Sequence, residues 1–163
     1  MATVPTDTRP WVALGLFLLV CFGVAALGSM ATARSIGDWY ADIRKPAWSP
    51  PNWLFGPVWT LLYVSIALAA WLVWMRAGWS GTHAAFALFA LQLGLNALWS
   101  WLFFGLQNPG VALIDIGLLW TSILATLVAF RRIVPAAGWL MVPYLGWVTF
   151  AAALNAAIWR LNA

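Results

Sequence analysis

Five apolar runs, each of about 20 or more residues, follow one another along the chain with polar breaks between them. A run of this length crosses a hydrocarbon core of roughly 30 Å as an α-helix. Only 7% of the 163 residues are charged, against roughly 25% in soluble domains, so much of the apolar surface must face lipid. We therefore predict an all-α, multi-pass integral membrane protein, a single domain over residues 1–163 built as a bundle of five transmembrane helices. The predicted helices cover residues 11–33, 53–75, 82–106, 111–130 and 136–159.

The first run has a competing interpretation as a signal peptide, because Arg9 precedes it and Ala31-Thr32-Ala33 resembles a cleavage site. The run exceeds the roughly 7–15 apolar residues of a signal peptide, so we predict a retained helix. The sequence does not set the orientation or name the membrane, since lysine and arginine divide four to four between the two faces. One face carries Arg9, Arg76, Arg131 and Arg132, and the other carries Arg34, Arg44, Lys45 and Arg160.

The one long connection, residues 34–52, lies between the first two predicted helices and is rich in proline and tryptophan. Pro46, Pro50 and Pro51 fix their own φ angles and hold the preceding residues extended, so the segment KPAWSPPNW should be stiff and non-helical. A stiff aromatic loop in a chain this apolar is expected to cover a binding site. We call residues 34–52 the strap and predict that it is a lid.

Polar and aromatic side chains align on three predicted helices, mostly in the half of the bundle nearest the strap. A rise of about 1.5 Å per residue places Asp115 about 6 Å, Trp59 about 9 Å and Asn96 about 15 Å below the strap face. Spacings of three and four residues keep each set on one face of its helix. The pattern predicts a pocket that opens toward the strap. The aligned sets are Trp59 and Tyr63 on the second helix, Gln92, Asn96 and Trp99 on the third, and Tyr144, Trp147, Ala151 and Asn155 on the fifth.

Some of these polar residues also have a purely structural interpretation. Asn96 and Asn155 could hydrogen-bond neighbouring helices instead of a ligand, and Asp115 could pair with Arg160. His83 is the only histidine, glutamate is absent, and there is one cysteine, so we predict no metal site. The net charge of +4 without a basic run argues against a nucleic-acid partner.

Five segments resemble one protein family, in the same order along the chain. They are WYADIRKPAWSPPNW, GPVWTLLY, LNALWSWLFFG, ALID and VPYLGWVTFAAALN. The family is TspO/MBR, which comprises bacterial tryptophan-rich sensory proteins and the mitochondrial translocator protein, or peripheral benzodiazepine receptor. The resemblance implies a five-helix membrane protein, commonly a homodimer, that binds porphyrins such as protoporphyrin IX and heme. In some members it also implies cholesterol and benzodiazepine-site ligands. It implies no cofactor beyond such a ligand.

The resemblance also implies which residues contact the ligand. Trp59 and Trp147 match the tryptophans linked in the family to light-dependent porphyrin degradation, so they would be catalytic if that reaction occurs here. Two positions depart from the animal members: Val111 replaces a tryptophan, and no tyrosine precedes Arg160, where a cholesterol motif would require one. Tight sterol binding is therefore not expected. Carried over by position, the ligand-binding set is Tyr40, Pro46, Trp48, Trp59, Tyr63, Asn96, Trp99, Asp115, Tyr144 and Trp147.

Three functions remain open at this point. The first is binding of tetrapyrroles for transport or sensing, with indoles stacked on the ring and Arg44 and Lys45 meeting its acidic arms. The second is an enzyme that degrades protoporphyrin with light and oxygen, although no acid–base or metal apparatus is visible. The third is an interaction protein that regulates tetrapyrrole pathways. For the homodimer, the small residues Ala87, Ala90 and Gly94 on the third helix predict a seam where two copies approach closely.

Overall fold

The computed structural model describes residues 10–163, so Arg9 and the rest of the amino-terminal tail lie outside the described part. Within that part the chain forms helices and connecting segments, with no strand. Five of the helices are long and apolar enough to cross a membrane, which confirms the predicted five-helix membrane bundle. The helices are α1 (Pro10–Ser35), α2 (Trp39–Asp42), α3 (Asn52–Ala77), α4 (His83–Ser100), α5 (Pro109–Ile133) and α6 (Pro135–Asn162), and α4 continues as a π-helical turn over Trp101–Gly105.

Helix ends follow the local sequence signals. Pro109 and Pro135 open α5 and α6 at the first turn, where a missing N–H costs nothing. The Asn108 side chain accepts a hydrogen bond from the Val111 N–H at 3.1 Å and so caps α5. Gly78 ends α3 with a φ of +63°, which glycine adopts without strain. The observed spans are longer than the predicted runs at most ends, because interfacial polar residues continue the helical hydrogen bonds beyond the apolar stretch.

The five spans form a closed ring. Helix α1 packs against α3 and α4, α3 packs against α6, α6 packs against α5, and α5 packs against α4. The core on the side away from the strap is filled by fully buried side chains from several spans: Ile66, Val73, Ile123, Phe130 and Met141. The ring is therefore solid at that end.

The strap is non-helical over most of its length, as its prolines predict, but it begins with the single helical turn α2, which the sequence did not indicate. The Lys45 ammonium group closes this turn by donating to the carbonyl oxygens of Tyr40, Ala41 and Ile43. The strap is also fastened to the end of α6. The Arg44 N–H donates to Asn162 Oδ1 at 2.9 Å, and Asn162 Nδ2 donates to the Arg44 carbonyl at 2.8 Å.

The turn between α5 and α6 leaves no room for a side chain at Gly138. A Cβ there would lie 2.5 Å from the Cβ of Arg131 and 3.0 Å from its Cα. We expect Gly138→Ala to lower the free energy of unfolding by about 1–3 kcal/mol through overpacking. Thermal unfolding in detergent measures the change. Gly146→Ala on the same helix is the control, because its added Cβ meets nothing within 4 Å. It should be neutral or slightly stabilising, and an equal loss in both variants would contradict the close packing at this turn.

Candidate functional site

A cavity of about 640 Å³ lies in the strap-side half of the bundle. Its wall is built by α1 from Phe22 to Ala33 with Ile36 just after it, α3 from Asn52 to Tyr63, the end of α4 with its π-helical turn, and α6 from Trp147 to Ile158. Tyr40 of α2 closes the end nearest the strap. This volume is typical of sites for drug-sized ligands, roughly 300–1,000 Å³. The cavity therefore lies where the helix faces predicted a pocket.

The structure brings half of the predicted ligand-binding residues together in the cavity wall and leaves the others outside it. Those in the wall are Tyr40, Trp59, Tyr63, Asn96, Trp99 and Trp147. The others are Arg44, Lys45, Pro46, Trp48, Asp115 and Tyr144, none of which lines the cavity.

A hydrogen-bonded chain supports the floor of the cavity near the middle of the bundle, and two of its members, Tyr63 and Asn96, line the cavity. The Tyr63 hydroxyl donates to Asn96 Oδ1 at 2.7 Å, and Asn96 Nδ2 donates to the Tyr144 hydroxyl at 2.9 Å. The Tyr144 hydroxyl in turn donates to Gln92 Oε1 at 2.9 Å. These four buried side chains join α3, α4 and α6. Asn96 thus has the structural role that the sequence left open, and it also lines the cavity.

A second polar link fixes the wall closer to the strap. The Trp99 indole N–H donates to Asn155 Oδ1 at 3.0 Å, and Asn155 Nδ2 donates to the Pro109 carbonyl at 2.7 Å. The link ties α4, α6 and the start of α5 together and orients the Trp99 ring. Trp99 stacks on Phe103 at 5.1 Å between ring centroids.

The π-helical turn adds wall residues that the sequence did not suggest. The Leu106 N–H bonds the Trp101 carbonyl at 2.7 Å, five residues back instead of four. The wider turn rotates the chain so that both Phe103 and Phe104 reach the cavity. A run of four bulky aromatic-rich residues gives no periodic signal for such a turn, so only the structure reveals it.

Trp147 combines an aromatic surface with an unsatisfied donor. Its ring packs against Phe55 at 5.9 Å and Phe150 at 5.4 Å, and Phe150 in turn meets Trp48 of the strap at 5.7 Å. The buried indole nitrogen of Trp147 has no hydrogen-bond partner within residues 10–163. A buried N–H without a partner is costly, and a ligand with an acceptor at this point would satisfy it.

Tyr40 is a strap residue whose buried side chain lines the cavity. Burial raises the pKa of its phenol, and a hydrogen bond to Ser49 offsets this only in part, so the group is neutral at physiological pH. The Lys45 ammonium group lies 4.8 Å from the centre of the Tyr40 ring. Lys45 therefore contacts a residue of the cavity wall, Tyr40, without lining the cavity itself. The Arg44 residue is exposed.

Asp115 is buried on α5, which contributes nothing to the cavity wall. Its Oδ2 atom has no hydrogen-bond partner among the described residues. The suggested ion pair with Arg160 does not form between these residues, because Arg160 is exposed at the end of α6 while Asp115 lies about 9 Å inside α5. The sequence placed Asp115 in the strap-side half of the bundle, but depth along a helix does not fix the direction in which a side chain faces.

Helix α1 supplies seven wall residues, and none was predicted from the sequence. Its small and hydroxyl residues gave one usable signal, since Gly28 and Thr32 are spaced by one turn. Thr32 Oγ1 donates to the Gly28 carbonyl of the same helix at 3.2 Å.

The sequence profile of the TspO/MBR family matches residues 17–160. The chain belongs to the TspO/MBR family. It is 47% identical to the tryptophan-rich protein TspO of Archaeoglobus fulgidus, over 90% of the chain and 94% of that relative. It is 37% identical to the translocator protein of Sus scrofa, over 94% of the chain and 92% of that relative. It is 38% identical to the tryptophan-rich sensory protein of Cereibacter sphaeroides, over 93% of the chain and 92% of that relative.

Membership of the TspO/MBR family agrees with the architecture, because residues 17–160 take in all five apolar spans except the start of α1 and the last two residues of α6. The predicted resemblance is thereby confirmed, and so is the prediction of a multi-pass integral membrane protein. The matched region also includes the strap and every residue of the cavity wall.

The floor of the cavity makes a testable contribution to stability. Tyr144→Phe removes two buried hydrogen bonds and leaves Gln92, whose Nε2 atom already lacks a partner, without its remaining link to Tyr144. We expect a loss of about 1–3 kcal/mol in the free energy of unfolding. Unfolding by denaturant in mixed micelles measures it.

The control for this variant is Thr149→Val, which removes the exposed acceptor of the Trp120 indole N–H on the same helix. It should cost less, since it breaks one hydrogen bond between helices instead of two. A larger loss for Thr149→Val than for Tyr144→Phe would contradict a supporting role for the buried chain.

Proposed function

We propose that the cavity binds a porphyrin-type ring and that this binding serves transport or sensing of tetrapyrroles at the membrane. The observation that carries the proposal is that three indoles, those of Trp59, Trp99 and Trp147, line one cavity of suitable volume. Flat aromatic rings stack on indoles and gain about 0.5–1.5 kcal/mol per pair beyond the area they bury. Membership of a family that includes a translocator protein and a tryptophan-rich sensory protein supports the same direction.

The polar groups of the wall suit a ring with acceptor atoms. Trp147 offers an unsatisfied N–H, whereas the amides of Asn96 and Asn155 already bond tyrosine, tryptophan and backbone groups of the bundle. The wall residues include no acidic or basic side chain. Acidic arms of a porphyrin would therefore point out of the cavity toward the strap. Arg44 is better placed to meet them than Lys45, whose ammonium group is already held by three carbonyls.

A second candidate function is light-dependent degradation of the bound ring. The observation in its favour is that Trp59 and Trp147 both line the cavity, so each would touch the same ligand. In such a reaction the ring would be oxidised, molecular oxygen would be the oxidant that is reduced, light would excite the porphyrin, and the indoles would only relay electrons. Loss of porphyrin absorbance in light with formation of new products would distinguish turnover from binding.

A homodimer is part of the proposal as well. Ala87, Ala90 and Gly94 are all exposed on one side of α4, and a Cβ added at Gly94 would meet nothing within 4 Å. Small residues on a lipid-facing surface allow a second helix to approach closely.

Removal of one indole tests the site. Trp147→Ala should weaken binding of protoporphyrin IX by about 1–3 kcal/mol, the contribution typical of a buried aromatic anchor. The measurement is quenching of tryptophan fluorescence by protoporphyrin IX, first in the dark and then in light. Trp139→Ala, at an exposed position of the same helix, is the control and should leave the affinity unchanged. Equal affinities for wild type and Trp147→Ala would place the ligand elsewhere.

The dimer seam has its own test. Gly94→Leu should shift the detergent-solubilised protein toward the monomer, since the leucine side chain separates the two helices. Light scattering coupled to size-exclusion chromatography gives the mass. Gly23→Leu, an exposed position on α1 with no neighbour near its added Cβ, should not alter the mass. A dimer that persists in Gly94→Leu would rule out this seam.

A further inference from the structure

The cavity wall is exposed on one side only. Among the wall residues, every exposed one belongs to α1 or α3, whereas those on α2, α4 and α6 are buried or half-buried. The exposed residues follow one face of each helix at spacings of three to four, so they form two facing stripes. The stripes are Phe22, Ala26, Ser29 and Ala33 on α1, and Asn52, Gly56 and Thr60 on α3.

This opening has a physical cause in the packing of α1. The contacts that join its first half to α3 are specific: the Trp71 indole donates to the Pro10 carbonyl at 2.9 Å, and Trp11 stacks on Trp71 at 5.9 Å. Phe22 and Tyr63 meet at 6.4 Å between ring centroids. Among the described residues, the hydrogen bonds and ring contacts between α1 and α3 end at this pair.

Beyond Phe22, helix α1 is joined to the end of α4 instead. A Cβ on Gly28 would lie 3.0 Å from Ser100 Oγ, so the two backbones approach closely there. The Trp101 indole donates to the Leu27 carbonyl at 3.1 Å, and Ser35 Oγ donates to the Phe104 carbonyl at 2.7 Å. The first half of α1 also contacts α4, through the rings of Phe17 and Phe86. Because α1 keeps α4 as a partner along its length but its specific contacts with α3 end at mid-length, its second half diverges from α3 on the strap side.

The residues that border the opening, which we call the rim, also share one chemical character. Most of its residues are small, and none is charged. Thr60 Oγ1 donates to the Gly56 carbonyl of its own helix at 2.9 Å, so its hydroxyl does not need water. An apolar molecule can cross such a rim directly from the hydrocarbon, whereas an ionised group would lose its hydration without gaining a partner.

The strap offers less freedom as an entrance. It is held to the end of α6 by the paired hydrogen bonds of Arg44 and Asn162. It is also packed against α6 through the ring contact of Trp48 with Phe150. Opening on that side would break these contacts, whereas the gap between α1 and α3 exists in the closed structure.

We infer that the cavity takes up its ligand sideways from the strap-side leaflet, through a portal between α1 and α3, and so selects molecules that are dissolved in the bilayer. The inference rests on the proposed function for the identity of the ligand, but the portal itself is a property of the helices. The ligand class is an apolar ring whose ionised groups, if any, stay at the membrane surface. A water-soluble charged molecule of similar size should be excluded.

The portal is tested by narrowing it from both sides. The double variant Ala26→Leu/Thr60→Leu adds bulk to the two rims, and Ala153→Leu/Thr121→Leu makes the same substitutions at exposed positions that do not line the cavity. Each protein is placed in nanodiscs and mixed with protoporphyrin IX dimethyl ester in a stopped-flow instrument. We expect the rim variant to slow association and dissociation together by roughly tenfold, equivalent to about 1.4 kcal/mol on the barrier, with the dissociation constant nearly unchanged. The control should match wild type.

Two kinetic outcomes would overturn the inference. One is unchanged kinetics in the rim variant while glycine at Pro50 and Pro51 accelerates them, because the strap would then be the entrance. The other is weaker binding in the rim variant without slower association, because the added leucines would then act on the site instead of the route.

A second measurement does not depend on porphyrin binding. A small apolar diazirine, iodophenyl trifluoromethyl diazirine, is dissolved in the nanodisc bilayer and activated by light. Mass spectrometry should find label on the cavity face of α6, at Trp147 or Ala151, in wild type and control, and much less in the rim variant. If that face stays unlabelled in wild type while lipid-facing positions are labelled, the portal is closed and the inference fails. If labelling behaves as expected but no porphyrin binds, the portal stands and only the proposed ligand is wrong.

Discussion

The structure depends on hydrogen bonds between side chains inside a membrane. Apolar burial does little to hold helices together in lipid, because the surrounding chains are as apolar as the helix surfaces. The chain from Tyr63 through Asn96 and Tyr144 to Gln92 therefore does much of the work of fixing α3, α4 and α6 relative to one another. Each such bond contributes about 0.6–2 kcal/mol in a membrane. The same chain closes the cavity from below, so one interaction serves both the fold and the site.

The cavity follows from what α1 does above that floor. Its first half is held to α3 by tryptophan contacts, and its second half is held to the end of α4 by close backbone approach at Gly28. A helix that shares its length between two neighbours leaves a wedge beside one of them. Fully packed spans on the opposite side, with Ile123 and Phe130 buried, keep the ring from collapsing into that wedge. The result is a site that is walled by protein and open to the bilayer.

Much of this architecture could be predicted from sequence, and the reasons are physical. Length and hydropathy locate the five spans, proline predicts the stiff strap, and helical spacing groups Trp59 with Tyr63 and Asn96 with Trp99. Periodicity gives depth along a helix but not rotation about its axis, so it grouped Asp115 with residues of a cavity that Asp115 does not line. The contribution of α1 and the π-helical turn at Trp101–Gly105 were missed, since both arise from contacts between segments distant in sequence. The bonds of the Lys45 ammonium group to nearby strap carbonyls could not be predicted from the sequence pattern either.

The central claim is that a tetrapyrrole lies in the strap-side cavity against the three indoles of its wall. A bound porphyrin produces a strong ring-current field that falls off steeply with distance, so indole N–H resonances report its position directly. Single Trp→Phe variants assign the indole N–H resonances, and porphyrin is then added in the dark. We expect large shifts of the resonances of Trp59, Trp99 and Trp147. The exposed Trp139, at the far end of α6, should hardly move. Large shifts at Trp139 with Trp147 unmoved would place the ligand on the outer surface and contradict the account.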